Sequence, residues 1–132
     1  MDPHSPAYNE LTWRCFAQPL NMGELRGLGV GHAAAGSVEQ GTWVQFHVQI
    51  LRGHITAAKF RAFGCPHVIA IASWLTEHSI GQCGDAALPE SLESLQRRFE
   101  LPVAKRGRLL LIEDAWSGAI RHAVTKSGAA MD

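Results

Sequence analysis

Residues 42–63 constrain the fold most, because they contain two strand patterns joined by a two-residue turn. Residues 42–51 alternate between apolar and polar side chains, which is typical of a strand that buries one face. The apolar members are Val44, Phe46, Val48 and Ile50. Arg52-Gly53 predicts a tight turn, and residues 54–63 are interpreted as a second strand that pairs with the first. The sequence therefore predicts an antiparallel hairpin.

Helices are predicted around this hairpin, with prolines and glycines at their ends. Their expected limits are residues 7–17 before Pro19, Pro66 to Gly81, Pro89 to Leu101-Pro102, and residues 109–126 before Gly128. The apolar face of the second helix is predicted to contain Val68, Ile71, Ala72, Leu75 and Ile80. The glycine-rich residues 20–41 are predicted to be flexible backbone without a phosphate-binding loop, and residues 1–6 a loose tail. The fold class is α+β, with helices packed on one face of a small antiparallel sheet.

Length and charge exclude several classes of protein. The 132 residues suit one domain, and twelve Lys+Arg balance twelve Asp+Glu, so no nucleic-acid or membrane partner is expected. No apolar run approaches the ~20 residues that span a bilayer, and the N-terminus lacks the pattern of a secretory signal. Three separated cysteines without a CxxC pair indicate reduced thiols in the cytoplasm. We expect a monomer or weak homodimer, and no enzyme, because no Ser/His/Asp or paired-carboxylate spacing is found.

Cys65 is the main candidate for chemistry, because it lies where the second strand meets a helix. Pro66 suits the first helical position, so the Cys65 sulfur is expected near the positive end of the helix dipole, which favours a thiolate. Cys15 is predicted to be a small core residue, and Cys83 an incidental exposed thiol. His47 and His54 are predicted to be solvated strand residues.

Several short motifs occur in the order and with the spacing of one known family. They are Gln18–Gly23, Val30–Ser37, Ala58–Cys65, Ile69-Ala70 with Ser73, Thr76 and Glu77, Leu101-Pro102-Val103-Ala104-Lys105, and Glu113–Ala115. Over about residues 8–125 the chain resembles the iron–sulfur cluster scaffold family of IscU and the NifU N-terminal domain. The resemblance implies about three strands and a scaffold on which a [2Fe–2S] cluster is built and passed on. It also implies a cysteine desulfurase and an assembly chaperone as partners, the chaperone recognising residues 101–105.

The chain departs from this family at the ligand positions. The three family cysteines fall on Ala35, Cys65 and Arg108, so only one of them is kept. The neighbouring aspartate falls on Ser37 and the histidine on Gly107. A [2Fe–2S] cluster needs four thiolate or imidazole ligands, and a charged guanidinium has no lone pair for a metal. One monomer is therefore not expected to hold a cluster in the usual way.

Three hypotheses about function stay open. The first is a divergent scaffold or a sulfur acceptor that works through Cys65, with Arg108, Arg106 or Lys105 stabilising its thiolate; in this single cysteine the chain resembles the sulfur acceptor SufE. The second is a paralogue without ligands that binds and regulates assembly partners. The third is a zinc or iron site formed by Cys65, His32 and His67.

Overall fold

A computed structural model of the chain describes residues 8–85 and 87–131, with side chains as far as residue 126. Its elements, in order, are α1 (Glu10–Ala17), β1 (Val30–Ser37), β2 (Thr42–Leu51), β3 (His54–Phe63), α2 (Pro66–Ser79), α3 (Leu92–Arg98), a 3-10 turn (Val103–Lys105) and α4 (Arg106–Met131). The strands form one antiparallel sheet in the order β1-β2-β3. The predicted α+β fold with about three strands is confirmed. In this part of the chain, no helix is both long and apolar enough to cross a bilayer.

The predicted hairpin of β2 and β3 is confirmed with the boundaries that the sequence pattern indicates. Arg52 and Gly53 have φ angles of 56° and 79°, the left-handed pair that a two-residue hairpin turn requires. Phe46 lies opposite Phe60 in the register, and both side chains are fully buried. The alternating apolar face of β2 is therefore the centre of the core, as predicted.

Strand β1 lies where flexible backbone was expected, so that prediction is wrong for residues 30–37. Its small residues hide the alternation that identifies β2, but they let helix α4 approach closely. A Cβ added at Gly31 would lie 2.1 Å from the backbone nitrogen of Ala123, and one at Gly118 would lie 2.8 Å from the Cβ of Ala33. The contact between β1 and α4 therefore requires glycine on both sides.

The helices differ from their predicted limits mainly at the ends. The Asn9 side chain caps α1 by accepting from the Thr12 amide, so this helix begins at Glu10. Ser91 caps α3 in the same way, so Pro89 lies before the helix and does not open it. Two further corrections concern α2 and α4. Ile80 follows the last turn of α2 and is 48% exposed, and α4 runs from Arg106 to Met131, past Gly128.

The helices cover one face of the sheet. Helix α4 packs on β1 and β2, α2 packs on β3, and α1 packs on α2. The fully buried side chains at the centre of these contacts are Phe46, Phe60, Leu75, Ile112, Trp116 and Ile120. The predicted tail, residues 1–6, lies outside the described residues.

The opposite face of the sheet is crossed by the segment of residues 24–28, which connects the edge of β3 to β1. The Leu25 amide donates to His47 Nδ1 over 3.3 Å, and Gln49 Nε2 donates to the Leu28 carbonyl over 2.9 Å. This cover leaves His47 only 8% exposed, so the prediction of a solvated side chain is wrong for His47. It is confirmed for His54, which is exposed in the hairpin.

Candidate functional site

Cys65 lies at the start of α2, as the sequence predicts. It is the N-cap residue, with φ −73° and ψ 166°, and its side chain makes no capping hydrogen bond. Its carbonyl oxygen accepts from the Val68 amide over 3.0 Å, which closes the first turn. The half-buried side chain packs against the edge of the core. The sulfur therefore has a fixed backbone support and is not used in capping.

His67, two residues later, is almost fully buried beside a lysine. Its side chain is 1% exposed, and its Nδ1 lies 3.2 Å from Lys105 Nζ. An ammonium group can only donate, so Nδ1 accepts and the imidazole proton is on Nε2. The Tyr8 ring covers this pair, with its centroid 4.8 Å from the imidazole centroid and 5.4 Å from Lys105 Nζ. His67 is thus a neutral acceptor for a cation.

Burial, together with the positive charges nearby, disfavours the protonated imidazole of His67. The pKa of His67 is lowered to about 4, first by burial and then by the positive charges of Lys105 and Arg108. Arg108, in the first turn of α4, is half-buried, and its Nε is buried without a hydrogen-bond partner among the described residues. His67 Nε2 is buried without such a partner as well. The site therefore contains two cations, Lys105 and Arg108. Two buried donors, Nε2 of His67 and Nε of Arg108, lack a hydrogen-bond partner among the described residues.

The end of β1 lies near this basic site. Gly36 pairs with Trp43 and Trp43 with Phe63, so the end of β1 and the approach to Cys65 share one end of the sheet. A Cβ added at Gly36 would lie 3.4 Å from Leu111 Cδ1, which places the first turns of α4 beside this strand end. The positions that the resemblance equates with family ligands, among them Ala35 and Arg108, therefore lie on elements that meet at one end of the molecule.

His32 does not join Cys65 and His67, so the predicted three-residue metal site is not formed. In the register His32 lies opposite His47, which lies opposite Lys59, and the four residue steps from Lys59 to Phe63 alone span about 13 Å. His32 stacks instead on His47, with centroids 5.3 Å apart, and meets the His122 ring edge at 5.1 Å. No three histidine, cysteine or acidic side chains of the described chain are arranged to hold a metal ion.

Two contributors to these arrangements were missed in the sequence. His122 is 90 residues from His32, and no pattern in the sequence connects them. Tyr8 falls within the predicted helix of residues 7–17, but in the structure it precedes α1 and covers His67. Both contacts follow from tertiary packing, which local periodicity does not report.

The segment Leu101–Lys105 divides between the core and the surface. Leu101 is 5% exposed, whereas Val103 is 78% exposed. Lys105 ends the 3-10 turn and reaches His67. One short segment thus connects the basic site to an exposed apolar side chain.

The other two cysteines lie away from this arrangement. Cys15 is half-buried against the core, and burial is the main cause that raises the pKa of its thiol. Cys83 is exposed, as predicted.

Residues 7–129 match the family model of the NifU-like N-terminal domain. The chain belongs to this family. It is 30% identical over 125 residues to the iron-sulfur cluster assembly scaffold protein IscU of Haemophilus influenzae, covering 92% of this chain and 99% of that protein. It is 29% identical over 123 residues to the mitochondrial iron sulfur cluster assembly protein 1 of Debaryomyces hansenii, covering 90% of this chain and 69% of the relative.

The fold agrees with that of a solved member of the family. The N-terminal NifU-like protein of Brucella abortus superposes with a TM-score of 0.70 at 21% identity, over 89% of this chain and 94% of that one. The resemblance deduced from the motifs is therefore confirmed at the level of family and fold.

The side chains of this chain do not fit a [2Fe–2S] cluster as a complete ligand set. Cys65 is the one thiol at the basic site, and the imidazole beside it uses Nδ1 to accept from Lys105. The resemblance places alanine and arginine at the other two cysteine positions, residues 35 and 108. Two nearby cations disfavour a metal ion there.

Proposed function

We propose that this protein is a non-enzymatic member of the iron–sulfur cluster assembly machinery that accepts sulfur on Cys65. Its family and its relatives, which are named as assembly and scaffold proteins, support a role in cluster assembly. The observation that carries the finer proposal is the single thiol at the start of α2, which makes no capping hydrogen bond and lies two residues before His67, the imidazole that contacts Lys105. Such a site suits an anionic sulfur better than it suits iron.

In the proposed step, the Cys65 sulfur attacks the terminal sulfur of a persulfide on a cysteine desulfurase. A sulfur–sulfur bond forms at Cys65 as the bond in the donor breaks, and the donor cysteine leaves as a thiolate. Cys65 then carries the persulfide, and no external oxidant or reductant is needed. We assign to Lys105 and Arg108, whose charges act on His67 two residues after Cys65, the stabilisation of negative charge on the transferred sulfur, and the backbone of α2 holds the accepting residue in place.

The test is transfer of labelled sulfur. The protein is incubated with a cysteine desulfurase and radiolabelled cysteine, and the label is located by peptide mass spectrometry under non-reducing conditions. We expect one added sulfur on Cys65, at least about tenfold less label in Cys65→Ser, and unchanged label in Cys15→Ser and Cys83→Ser. Label that persists in Cys65→Ser, or no label in the unaltered protein, contradicts the proposal.

A second function, docking without sulfur chemistry, is favoured by the exposed apolar Val103. This residue is 78% exposed in the segment that the resemblance equates with a chaperone-recognition motif. In a pull-down with an assembly chaperone, we expect Val103→Asp to lose binding and Cys65→Ser to retain it. If Cys65→Ser has no effect on cluster assembly in cells while Val103→Asp abolishes it, docking is the main function.

A further inference from the structure

We propose that the basic site around His67 and Arg108 binds a small anion of the sulfate or thiosulfate type. This binding is independent of sulfur acceptance, because it uses groups other than the Cys65 sulfur. The family resemblance predicts a metal cation at this end of the molecule. In this chain, the residues at that end favour an anion instead.

Two hydrogen-bond donors point to an acceptor as the missing partner. Lys105 occupies His67 Nδ1, so Nε2 carries the proton and is a donor. The Nε of Arg108 is a donor by its chemistry. Both atoms are buried, and neither has a hydrogen-bond partner among the described residues. Buried donors are normally satisfied, so an acceptor that reaches them is strongly favoured.

The charges around these donors select an anion as the acceptor. Lys105 Nζ lies 3.2 Å from His67 Nδ1, and the positive charge of Arg108 also lowers the pKa of His67. In the described parts of the chain, no carboxylate forms an ion pair with either cation; the acidic partners in ion pairs are Glu24, Glu77 and Glu90. None of the described carboxylates therefore compensates the positive charge of this region by an ion pair.

Helix α2 adds a third contribution. It is 14 residues long, it begins beside Cys65, and the N-cap side chain leaves its start uncapped. The positive end of its dipole favours an anion near the start of the helix, where His67 is the second residue. The neutral His67 at its second position donates without adding repulsive charge to the two cations. A compact oxyanion offers several acceptor atoms to such donors at once.

The experiment is titration of the protein with sodium thiosulfate and sodium sulfate at constant ionic strength, with sodium chloride as the reference. Calorimetry gives the affinity, and imidazole nitrogen NMR reports His67. We expect saturable binding that shifts the Nε2 signal of His67 and leaves its protonation site unchanged. Arg108→Gln should weaken the affinity at least about tenfold, which corresponds to loss of one charge-assisted hydrogen bond.

The matched control is Arg106→Gln, which removes an equal charge from an exposed residue two positions away. We expect its affinity to stay within about threefold of the unaltered protein, since an exposed charge contributes little. Lys105→Gln is a second variant that should weaken binding as Arg108→Gln does. Equal losses in Arg106→Gln and Arg108→Gln would overturn the proposal, because they would indicate general charge attraction. No saturable binding to either anion would also overturn it.

Cys65→Ala, whose side chain cannot cap α2, separates this site from the proposed sulfur acceptance. We expect it to bind free thiosulfate and sulfate as the unaltered protein does, although it can no longer carry sulfur. If His67 responds to a persulfide on Cys65 but to neither free anion, the anion site is refuted and sulfur acceptance stands. If free anions bind but no sulfur is transferred, sulfur acceptance is refuted and the anion site stands.

Discussion

His67 at the basic site and the group of His32, His47 and His122 have different surroundings. At the basic site, His67 is 1% exposed and its imidazole faces an ammonium and a guanidinium. At the other group, His32 is exposed and contacts His47 and His122. Burial is the first cause that lowers the pKa of both His67 and His32, and the second cause is Lys105 for one and His122 for the other. Burial therefore lowers the pKa in both places, and a different neighbouring group adds to the effect in each.

The partners of the two groups indicate different roles. His122 Nδ1 accepts from the His32 amide over 3.0 Å, and His47 Nδ1 lies 3.3 Å from the Leu25 amide, so these rings hold backbone segments together. His67 instead contacts the side chains of Lys105 and Tyr8. The comparison teaches that the count of seven histidines says little about metal binding, whereas their partners separate structural rings from a ring at a site.

The largest expected difference is between His67 and His32, in how much each makes the free energy of unfolding depend on pH. His67 has a pKa of about 4 in the folded chain and about 6.5 when unfolded, so the unfolded state binds more protons in between. Its stabilising contribution is complete above pH 6.5 and is lost as the pH falls towards 4. The loss should be on the order of 3 kcal/mol, measured by urea unfolding at several pH values.

The control for this prediction is a pair of variants. His67→Gln should flatten the pH dependence by most of that amount, whereas His32→Gln should leave it nearly unchanged, because the exposed ring is screened by solvent. Equal slopes in the unaltered protein and in His67→Gln would show that other groups cause the acid instability.

A smaller effect should follow from removal of the cation beside His67. In Lys105→Met the pKa of His67 should rise, since a positive charge is lost, but stay below 6.5, since burial is the larger cause. Proton NMR titration of the imidazole measures this directly. His32 should titrate unchanged in the same variant; a parallel shift of both rings would contradict the separation of the two groups.

The smallest expected effect concerns the hydrogen bond from the His32 amide to the His122 ring. His122→Leu removes the acceptor of the His32 amide and should cost about 1 kcal/mol of unfolding free energy. Hydrogen exchange at the His32 amide should become faster, while amides at the start of α2 keep their rates. Unchanged exchange at His32 would show that His122 is not the group that protects it.

The sequence predicts the elements that depend on local patterns, and it does not predict those that depend on tertiary packing. Strands β2 and β3, the turn at Arg52-Gly53 and the junction at Cys65 follow from alternation and from proline placement, which are local properties. Strand β1 does not, because Gly31 and Ala33 are selected by the close approach of α4, and small residues carry no periodic pattern. The family resemblance supplied the third strand that the pattern could not.

The sequence likewise predicts some residues of the candidate site but not the contacts between them. Cys65, Arg108 and Lys105 could be named from the sequence, since one lies at a junction and the others occupy motif positions. The separation of His32 from His67 could not, because it depends on the register His32–His47–Lys59. The buried unpaired Nε2 of His67 depends on the contact with Lys105, 38 residues away.

Hydrogen bonds at the free sides of the outer strands β1 and β3 limit how partners can attach to the sheet. At the free side of β3, Phe60 is bonded to Asn21 and Gly23 through its amide and its carbonyl, and at the free side of β1 the His32 amide is taken by His122. Another chain cannot add a strand at these positions without displacing contacts of the folded protein. Recognition by addition of a strand is thereby disfavoured at Phe60 and at His32.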